Sequence, residues 1–290
     1  MAVPGRSILN QQIYATAKQD FIERYRRAAL KRLDATGSIH TGCGAFEFDG
    51  QAISFATDPG CETFNDDFIA FWKPKSAGEL NWVAAVADGV TGSLLASEAA
   101  ELACYFGLVA VGKSNLNPSA ISKNPIAYVT RVFHQIGRCC QAEPDGLRPA
   151  NCPNAIWKVA VREGKFLQTT LTLIWSTADG IRIMAVGDGG VLYSYLNAPT
   201  EFTPHTFGSG KLQCLGPRSA SVQLEAYLLE NWSSVTCYTD GLAESVEQVA
   251  ELPAMVSDGQ QSIGSVIKYL NVDHPELVDD NLSAFRVVKV

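Results

Sequence analysis

Residues 83–93 (VAAVADGVTGS) constrain the fold of this chain more than any other stretch. An apolar run long enough for a buried strand ends at Asp88 and Gly89, and an alanine-rich segment typical of a helix starts near Ser93. A carboxylate at the end of a buried strand is costly to desolvate unless it is paired, and a metal ion is a common partner. The glycine allows backbone to approach whatever Asp88 binds. The pattern therefore predicts either a metal ligand or an acid that only caps the helix.

The same combination of an acid and a strand end recurs along the chain, at Asp66-Asp67, Asp240 and Asp279-Asp280. Adjacent acids point to opposite sides of an extended chain, so at most one of Asp66 and Asp67 can face a shared site directly. Oxygen ligands without an accompanying set of His or Cys suit Mg²⁺ or Mn²⁺. Converging carboxylates would repel one another without metal, which favours a two-metal site. Acids in unrelated turns are the alternative.

Composition excludes several classes of protein. With 290 residues, of which 47% are hydrophobic and 18% charged, the chain can bury a sizeable core and is not of a disordered type. Its net charge of −7 argues against a nucleic-acid or anionic-membrane partner. No apolar run reaches the roughly 18 residues of a membrane span, and no signal pattern starts the chain, so we expect a cytoplasmic protein. The eight cysteines form no CxxC pair and are expected to be mostly buried free thiols.

Periodicity predicts one α/β domain with an N-terminal helix. Basic residues line much of the predicted helix over residues 11–33, and they indicate either a solvated face or a docking surface. His134 falls on the polar side of the helix that starts at Asn124-Pro125, so we expect it to be solvated. Gly187-Asp188-Gly189-Gly190 is typical of a tight hairpin turn, and residues 197–220 of an irregular excursion. Strands are predicted after Asp67 and over residues 45–57, 81–87, 166–176, 181–186, 191–196, 235–239 and 282–290. Helices are predicted from Ser93 to about Val111, from Asn124, and as two short stretches after Gly241, with a loop over residues 141–154.

Six short motifs occur in a fixed order: N-D-D (65–67), A-D-G-x-x-G (87–92), T-T (169–170), G-D-G-G (187–190), T-D-G (239–241) and D-D-N (279–281). In this order they resemble the metal-dependent Ser/Thr protein phosphatases of the 2C type, and the match runs from about Asp58 to the C-terminus. The resemblance implies an α+β fold, a four-layer α-β-β-α sandwich with two central antiparallel sheets flanked by helices and an extra N-terminal helix. It also implies a helical extension over residues 1–40 and a catalytic domain over residues 41–290.

The resemblance assigns roles residue by residue. A water between the metals would be the nucleophile, with no covalent intermediate, and Asp67, Asp88 and Asp240 would be the catalytic residues. Thr169-Thr170 and Gly187-Asp188 match positions that are mainly structural. The implied metal-site residues are Asp66, Asp67, Asp88, Gly89, Asp240 and Asp280.

Four departures from the family pattern bear on activity. Glu62 stands where the family usually has an Arg that grips the substrate phosphate, and a carboxylate there would repel phosphate. Val90 replaces a His found in eukaryotic members, which suggests a bacterial-type member. Gly190 replaces the Arg of G-D-S-R. The acid that binds a third metal in some members has no clear counterpart, since Glu163 is near but misplaced.

The implied function is hydrolysis of phosphoserine and phosphothreonine on proteins at a centre of two Mn²⁺ or Mg²⁺ ions, with a third ion left open. The expected partners are a phosphorylated protein and a cognate Ser/Thr kinase, without nucleic acid or membrane, and the chain is expected to be a monomer. The position of residues 197–234 in the family suggests a lid. Glu62 supports the alternative, a weak or inactive relative that acts as a regulatory binding module.

Overall fold

The fold is built from two six-stranded antiparallel sheets. The first sheet has the strand order β1-β4-β5-β6-β7-β10, and the second has the order β2-β3-β12-β11-β8-β9. The strands are β1 (Gly37–Thr41), β2 (Gly44–Phe48), β3 (Gln51–Asp58), β4 (Phe68–Pro74), β5 (Leu80–Ala87), β6 (Leu171–Thr177), β7 (Gly180–Val186), β8 (Gly190–Tyr195), β9 (Thr200–Thr203), β10 (Glu225–Leu229), β11 (Trp232–Tyr238) and β12 (Leu282–Lys289). The computed structural model describes residues 22–60, 62, 64–75, 80–116, 125–145, 148, 152–195, 200–203, 213–219, 225–257, 259–278 and 280–290.

Helices cover the outer face of each sheet. The helices are α1 (22–36), α2 (Ala96–Leu116), α3 (Pro125–Ala142), α4 (Asn154–Glu163), α5 (Asp240–Gln248), α6 (Leu252–Ser257) and α7 (Ile263–Asp273), followed by a 3₁₀ turn (Pro275–Leu277). The first four belong to the layer on the first sheet, where α2 packs against β4, β5 and β6. The last three pack against the second sheet. The predicted four-layer α-β-β-α sandwich is therefore confirmed.

Aromatic side chains fill the space between the two sheets. Phe71 stacks on Phe55 and Phe285, with ring centroids 6.3 and 6.0 Å apart, and Trp82 lies 5.4 Å from Phe285. All four side chains are buried. Large rings that interlock between two sheets bury much apolar area, which holds the sheets at a fixed separation.

Helix α1 is part of the helical layer on the first sheet. Its Ala29 and Leu33 are buried in the core, and the Leu33 carbonyl accepts a hydrogen bond of 3.0 Å from Trp72 Nε1. Arg26 on its polar side forms ion pairs with Glu23 and with Glu101 of α2. Residues 11–21 of the predicted helix lie outside the described residues. The division at residue 40 stays a prediction, and β1 spans that boundary.

The structure corrects several local predictions. The strand expected over residues 45–57 is a hairpin of β2 and β3, because Asp49 and Gly50 adopt positive φ at a turn. Helix α4 occupies part of a segment for which no helix was predicted, and three helices follow β11 instead of two. His134 is half-buried, and its Nε2 lies 3.0 Å from the Ser219 carbonyl oxygen.

The segment 187–190 does not form a hairpin. Strand β7 belongs to the first sheet and β8 to the second, so this segment crosses between the sheets. The predicted irregular excursion contains β9, which pairs with β8, and the rest of it is described only at residues 213–219. No helix in the described part of the chain is both long and apolar enough to cross a membrane.

Candidate metal centre

The acids gather because antiparallel strands place the end of one strand beside the start of the next. Asp88 follows β5 and Asp240 follows β11, while Asp67 precedes β4 and Asp280 lies two residues before β12. Asp188 lies in the crossover that ends β7 and starts β8. All five therefore lie at the same end of the sandwich.

One group of carboxylates among the described residues has metal-binding geometry. The ligand oxygens of Asp88, Asp188 and Asp240 all lie within 4.8 Å of one another. Burial raises the pKa of Asp188, and repulsion from Asp280 adds to this. The sequence matched Asp188 to a mainly structural position, so its place in this cluster was missed. The only local signal was an acid within a glycine-rich turn.

Asp67 is the most deeply buried acid of the centre. It is 4% exposed, and its Oδ2 accepts a hydrogen bond of 2.9 Å from Thr239 Oγ1. Its Oδ1 is buried and has no hydrogen-bond partner among the described residues. Burial raises the pKa of Asp67 to about 7, although hydrogen bonds from neighbouring hydroxyls oppose the shift. An unpartnered buried carboxylate oxygen is costly, and a bound cation or an ordered water would satisfy it.

The backbone of Asp88 is held by Thr169 and Thr170, which directly precede β6. The Asp88 N–H donates to Thr170 Oγ1 at 3.0 Å, and the Asp88 carbonyl accepts from Thr169 Oγ1 at 2.6 Å and from the Thr170 N–H at 2.8 Å. Burial raises the pKa of Asp88 to about 10, and repulsion from Asp67 and Asp240 adds to the shift. A cation at this position would offset both effects.

Gly89 occupies a position that no larger residue would fit. A Cβ atom there would lie 2.6 Å from the Ala96 carbonyl carbon and oxygen at the start of α2. Its N–H donates to the Asp66 carbonyl at 3.1 Å. The close approach fixes the strand end against the helix, beside Asp88.

Asn281 fastens the loop that carries Asp66 to the end of β12. The Asn281 Oδ1 accepts a hydrogen bond of 2.6 Å from the Asp66 N–H, and its Nδ2 donates to the carbonyls of Pro59 at 3.0 Å and Phe64 at 3.3 Å. The Asn281 side chain is buried. Burial raises the pKa of the half-buried Asp66, and repulsion from Glu98 contributes. Asp66 thus lies beside the three-carboxylate cluster and outside it.

Two further acids are oriented by backbone donors. Asp240 Oδ1 accepts a hydrogen bond of 2.9 Å from the Gly241 N–H at the start of α5. Asp280 Oδ1 accepts one of 2.7 Å from the Asn281 N–H. The neighbouring Asp279 lies outside the described residues.

The donor set fits hard divalent cations. Carboxylates from several strand ends converge, their burial disfavours the charged form, and one buried oxygen of Asp67 has no partner among the described residues. Oxygen-only sites of this kind select Mg²⁺, Mn²⁺ or Ca²⁺ over softer metals.

Comparisons with known proteins point to one family. A family model described as "Protein phosphatase 2C" matches residues 61–277. No curated protein matches the chain. Among solved structures, the Ser/Thr phosphatase Stp1 from Staphylococcus aureus is 15% identical with a TM-score of 0.55, and the alignment covers 86% of this chain and 97% of that one. The catalytic domain of the phosphatase PstP, solved with two manganese ions, is 16% identical over 82% and 97% with a TM-score of 0.51. At these identities the likeness shows the fold.

Proposed function

This chain belongs to the protein phosphatase 2C family, whose members use Mn²⁺ or Mg²⁺, and we propose that it hydrolyses phosphoserine and phosphothreonine on proteins. The observation that carries the proposal is the convergence of Asp88, Asp188 and Asp240 at one end of the sandwich, beside the buried Asp67. The proposed substrate is the product of a cognate Ser/Thr kinase. We also propose that the protein acts as a monomer in the cytoplasm, and this part of the proposal rests on the family resemblance.

Each acid has a proposed role. Asp88, Asp240, Asp280 and the Gly89 carbonyl would hold two Mn²⁺ or Mg²⁺ ions, with a third left open. Asp188 extends this donor set, because its oxygens lie within 4.8 Å of those of Asp88 and Asp240. When bound, such ions lower the pKa of a water molecule and neutralise charge on the phosphate.

The remaining groups position the reactants. Asp67 is buried and has one carboxylate oxygen without a partner among the described residues, so it is suited to orient a water molecule and accept its proton. Asp66 would act on the centre through water, because adjacent acids point to opposite sides of an extended chain and Asp67 is the buried one of the two. Val90 stands where eukaryotic members have a His, so this position supplies no proton to the leaving group.

A second candidate is a binding module that keeps the metals without turnover. It is favoured by Glu62, an exposed acid at the position where the family resemblance places a phosphate-binding Arg. The two candidates differ in one observable, because a binding module would bind Mn²⁺ and leave a phosphoester intact.

Turnover of a small aryl phosphate with Mn²⁺ tests the proposal. We expect Asp88→Ala and Asp240→Ala to lower kcat by roughly a hundredfold to a thousandfold or more, because each removes a charge that positions the cations. Asp179→Ala is a matched control, since Asp179 is exposed in the turn between β6 and β7, at the opposite end of the first sheet. Wild-type activity in both centre variants would refute this assignment, and Mn²⁺ binding without turnover by the wild type would favour the binding module.

A further inference from the structure

Two exposed side chains lie beside the metal centre and take no part in the chemistry described above. Phe64 is 77% exposed, which is unusual for a large aromatic side chain. Glu62 is also exposed, and no ion pair involves it among the described residues. Both precede Asp66 in the loop between β3 and β4.

The loop that carries them is fixed to the centre. Asn281 binds the carbonyls of Pro59 and Phe64 and the N–H of Asp66, so three points of the loop are tied to the residue that follows Asp280. The Glu62 N–H donates to the Pro59 carbonyl at 3.0 Å, which closes a turn. Because the backbones of Glu62 and Phe64 are themselves hydrogen-bonded, their side chains start from fixed positions at the edge of the centre.

The edge of the centre beside Asp66 is negatively charged. The charge of Glu62 is near enough to act on the Asp66 carboxyl, as is that of Glu98 in the first turn of α2. Cations in the centre attract the phosphate itself. The residues on either side of the phosphate would instead meet Glu62 and the ring of Phe64.

We propose that Glu62 and Phe64 select the substrate: phosphoprotein segments with a Lys or Arg and an apolar side chain close to the phosphorylated residue. This proposal rests on the phosphatase function proposed above. Glu62 pairs with the basic residue, and Phe64 covers the apolar one. Glu62 then binds a residue beside the phosphate, whereas the corresponding Arg in the family binds the phosphate itself.

The expected selectivity is modest and measurable. A solvent-exposed ion pair changes kcat/KM by about two- to fivefold. Partial burial of an apolar side chain on Phe64 adds about three- to tenfold. Addition of salt weakens the first effect and leaves the second, because only the ion pair is screened.

The test measures kcat/KM with Mn²⁺ for matched phosphothreonine peptides that carry Lys, Ala or Glu beside the phosphorylated residue, each with Leu or Ser nearby. The readout is the ratio of the lysine peptide to the glutamate peptide, since a ratio cancels changes in the chemistry. We expect a ratio above one for the wild type, a smaller ratio for Glu62→Gln and an inverted ratio for Glu62→Arg. For Phe64→Ala we expect loss of the preference for Leu.

Two control variants separate local from general effects. Glu47→Gln removes an exposed acid of β2, which pairs with the end of β3 farthest from Asp58, and Val272→Ala removes an exposed apolar side chain of α7. Both should keep the wild-type ratios. The proposed selectivity is wrong if all peptides have equal kcat/KM, or if the ratios are unchanged in Glu62→Gln and Phe64→Ala. In either case, turnover of the aryl phosphate would still support the phosphatase function. Absence of aryl phosphate turnover in the wild type would overturn both.

Discussion

The metal-free centre should make the protein less stable as the pH rises. Burial and repulsion raise the pKa of Asp88 to about 10, and burial raises that of Asp67 to about 7. In the unfolded chain both carboxyls titrate near 4. Between these values the folded state holds protons that the unfolded state has released, so the free energy of unfolding falls with increasing pH.

The size of this effect follows from the number of protons held. Each proton held only by the folded state lowers the free energy of unfolding by about 1.4 kcal/mol per pH unit. Between pH 5.5 and 8.0, the proton on Asp88 alone corresponds to a loss of at most roughly 3.5 kcal/mol, and relaxation of the site reduces this to roughly 1–3 kcal/mol. Asp67 adds to the slope only below its pKa of about 7.

Asp88→Asn isolates this contribution, because asparagine has the shape of the protonated acid and cannot ionise. In EDTA we expect the variant to lose less stability than the wild type between pH 5.5 and 8.0, and to be the more stable protein at pH 8.0. Urea unfolding followed by tryptophan fluorescence measures the difference. Asp179→Asn, in an exposed turn, is the control and should follow the wild type.

Manganese should reverse the trend in the wild type. Because cations bind the deprotonated carboxylates, the stabilisation by saturating Mn²⁺ should grow with pH, whereas Asp88→Asn should gain little. The reasoning fails if the metal-free wild type is equally stable or more stable at pH 8.0 than at pH 5.5. It also fails if Asp88→Asn keeps the wild-type slope.

Two other substitutions test the scaffold of the centre. Asn281→Ala removes three hydrogen bonds to the loop over residues 59–66. We therefore expect the free energy of unfolding in urea to fall by roughly 2–4 kcal/mol and Mn²⁺ binding, measured by calorimetry, to weaken. If neither value changes, Asn281 does not hold the loop in place. Gly190→Ala would place a Cβ atom 2.1 Å from the ring of Tyr238. We therefore expect the free energy of unfolding, measured by thermal unfolding, to fall by roughly 1–3 kcal/mol. A wild-type Tm would show that the ring moves aside.

The part of the centre that could be predicted from the sequence is the part encoded locally. Asp88 and Asp240 each follow an apolar strand and precede a glycine, and this pattern marks a strand end wherever the strand lies. Asp188 carried no such mark, because Gly187-Asp188-Gly189-Gly190 is equally typical of a hairpin. Its position depends on β7 and β8 belonging to different sheets, and sheet membership is set by long-range pairing.

The errors in the fold instead concern segments whose local signals are short. Residues 45–57 were predicted as one strand, although Asp49-Gly50 is a two-residue sequence typical of a hairpin turn and both residues adopt positive φ there. Helix α4 was missed although its buried Trp157, Ala160 and Val161 have helical spacing, because it is only ten residues long and follows a loop rich in Pro and Asn. Helix α2, which is buried on nearly all sides, was predicted from its alanine-rich composition, and α3 from apolar positions that repeat over several turns.

The departure at Gly190 is linked to the centre by packing. The ring of Tyr238 occupies the space that a side chain at position 190 would need, and Tyr238 is buried. Tyr238 ends β11 directly before Thr239, whose hydroxyl binds the buried Asp67, and Asp240 follows. The aromatic ring therefore fixes the strand end that supplies two groups of the centre. Any side chain at position 190 would have to displace this ring, so the absence of the Arg follows from the packing around the centre and gives no reason to infer loss of metal binding.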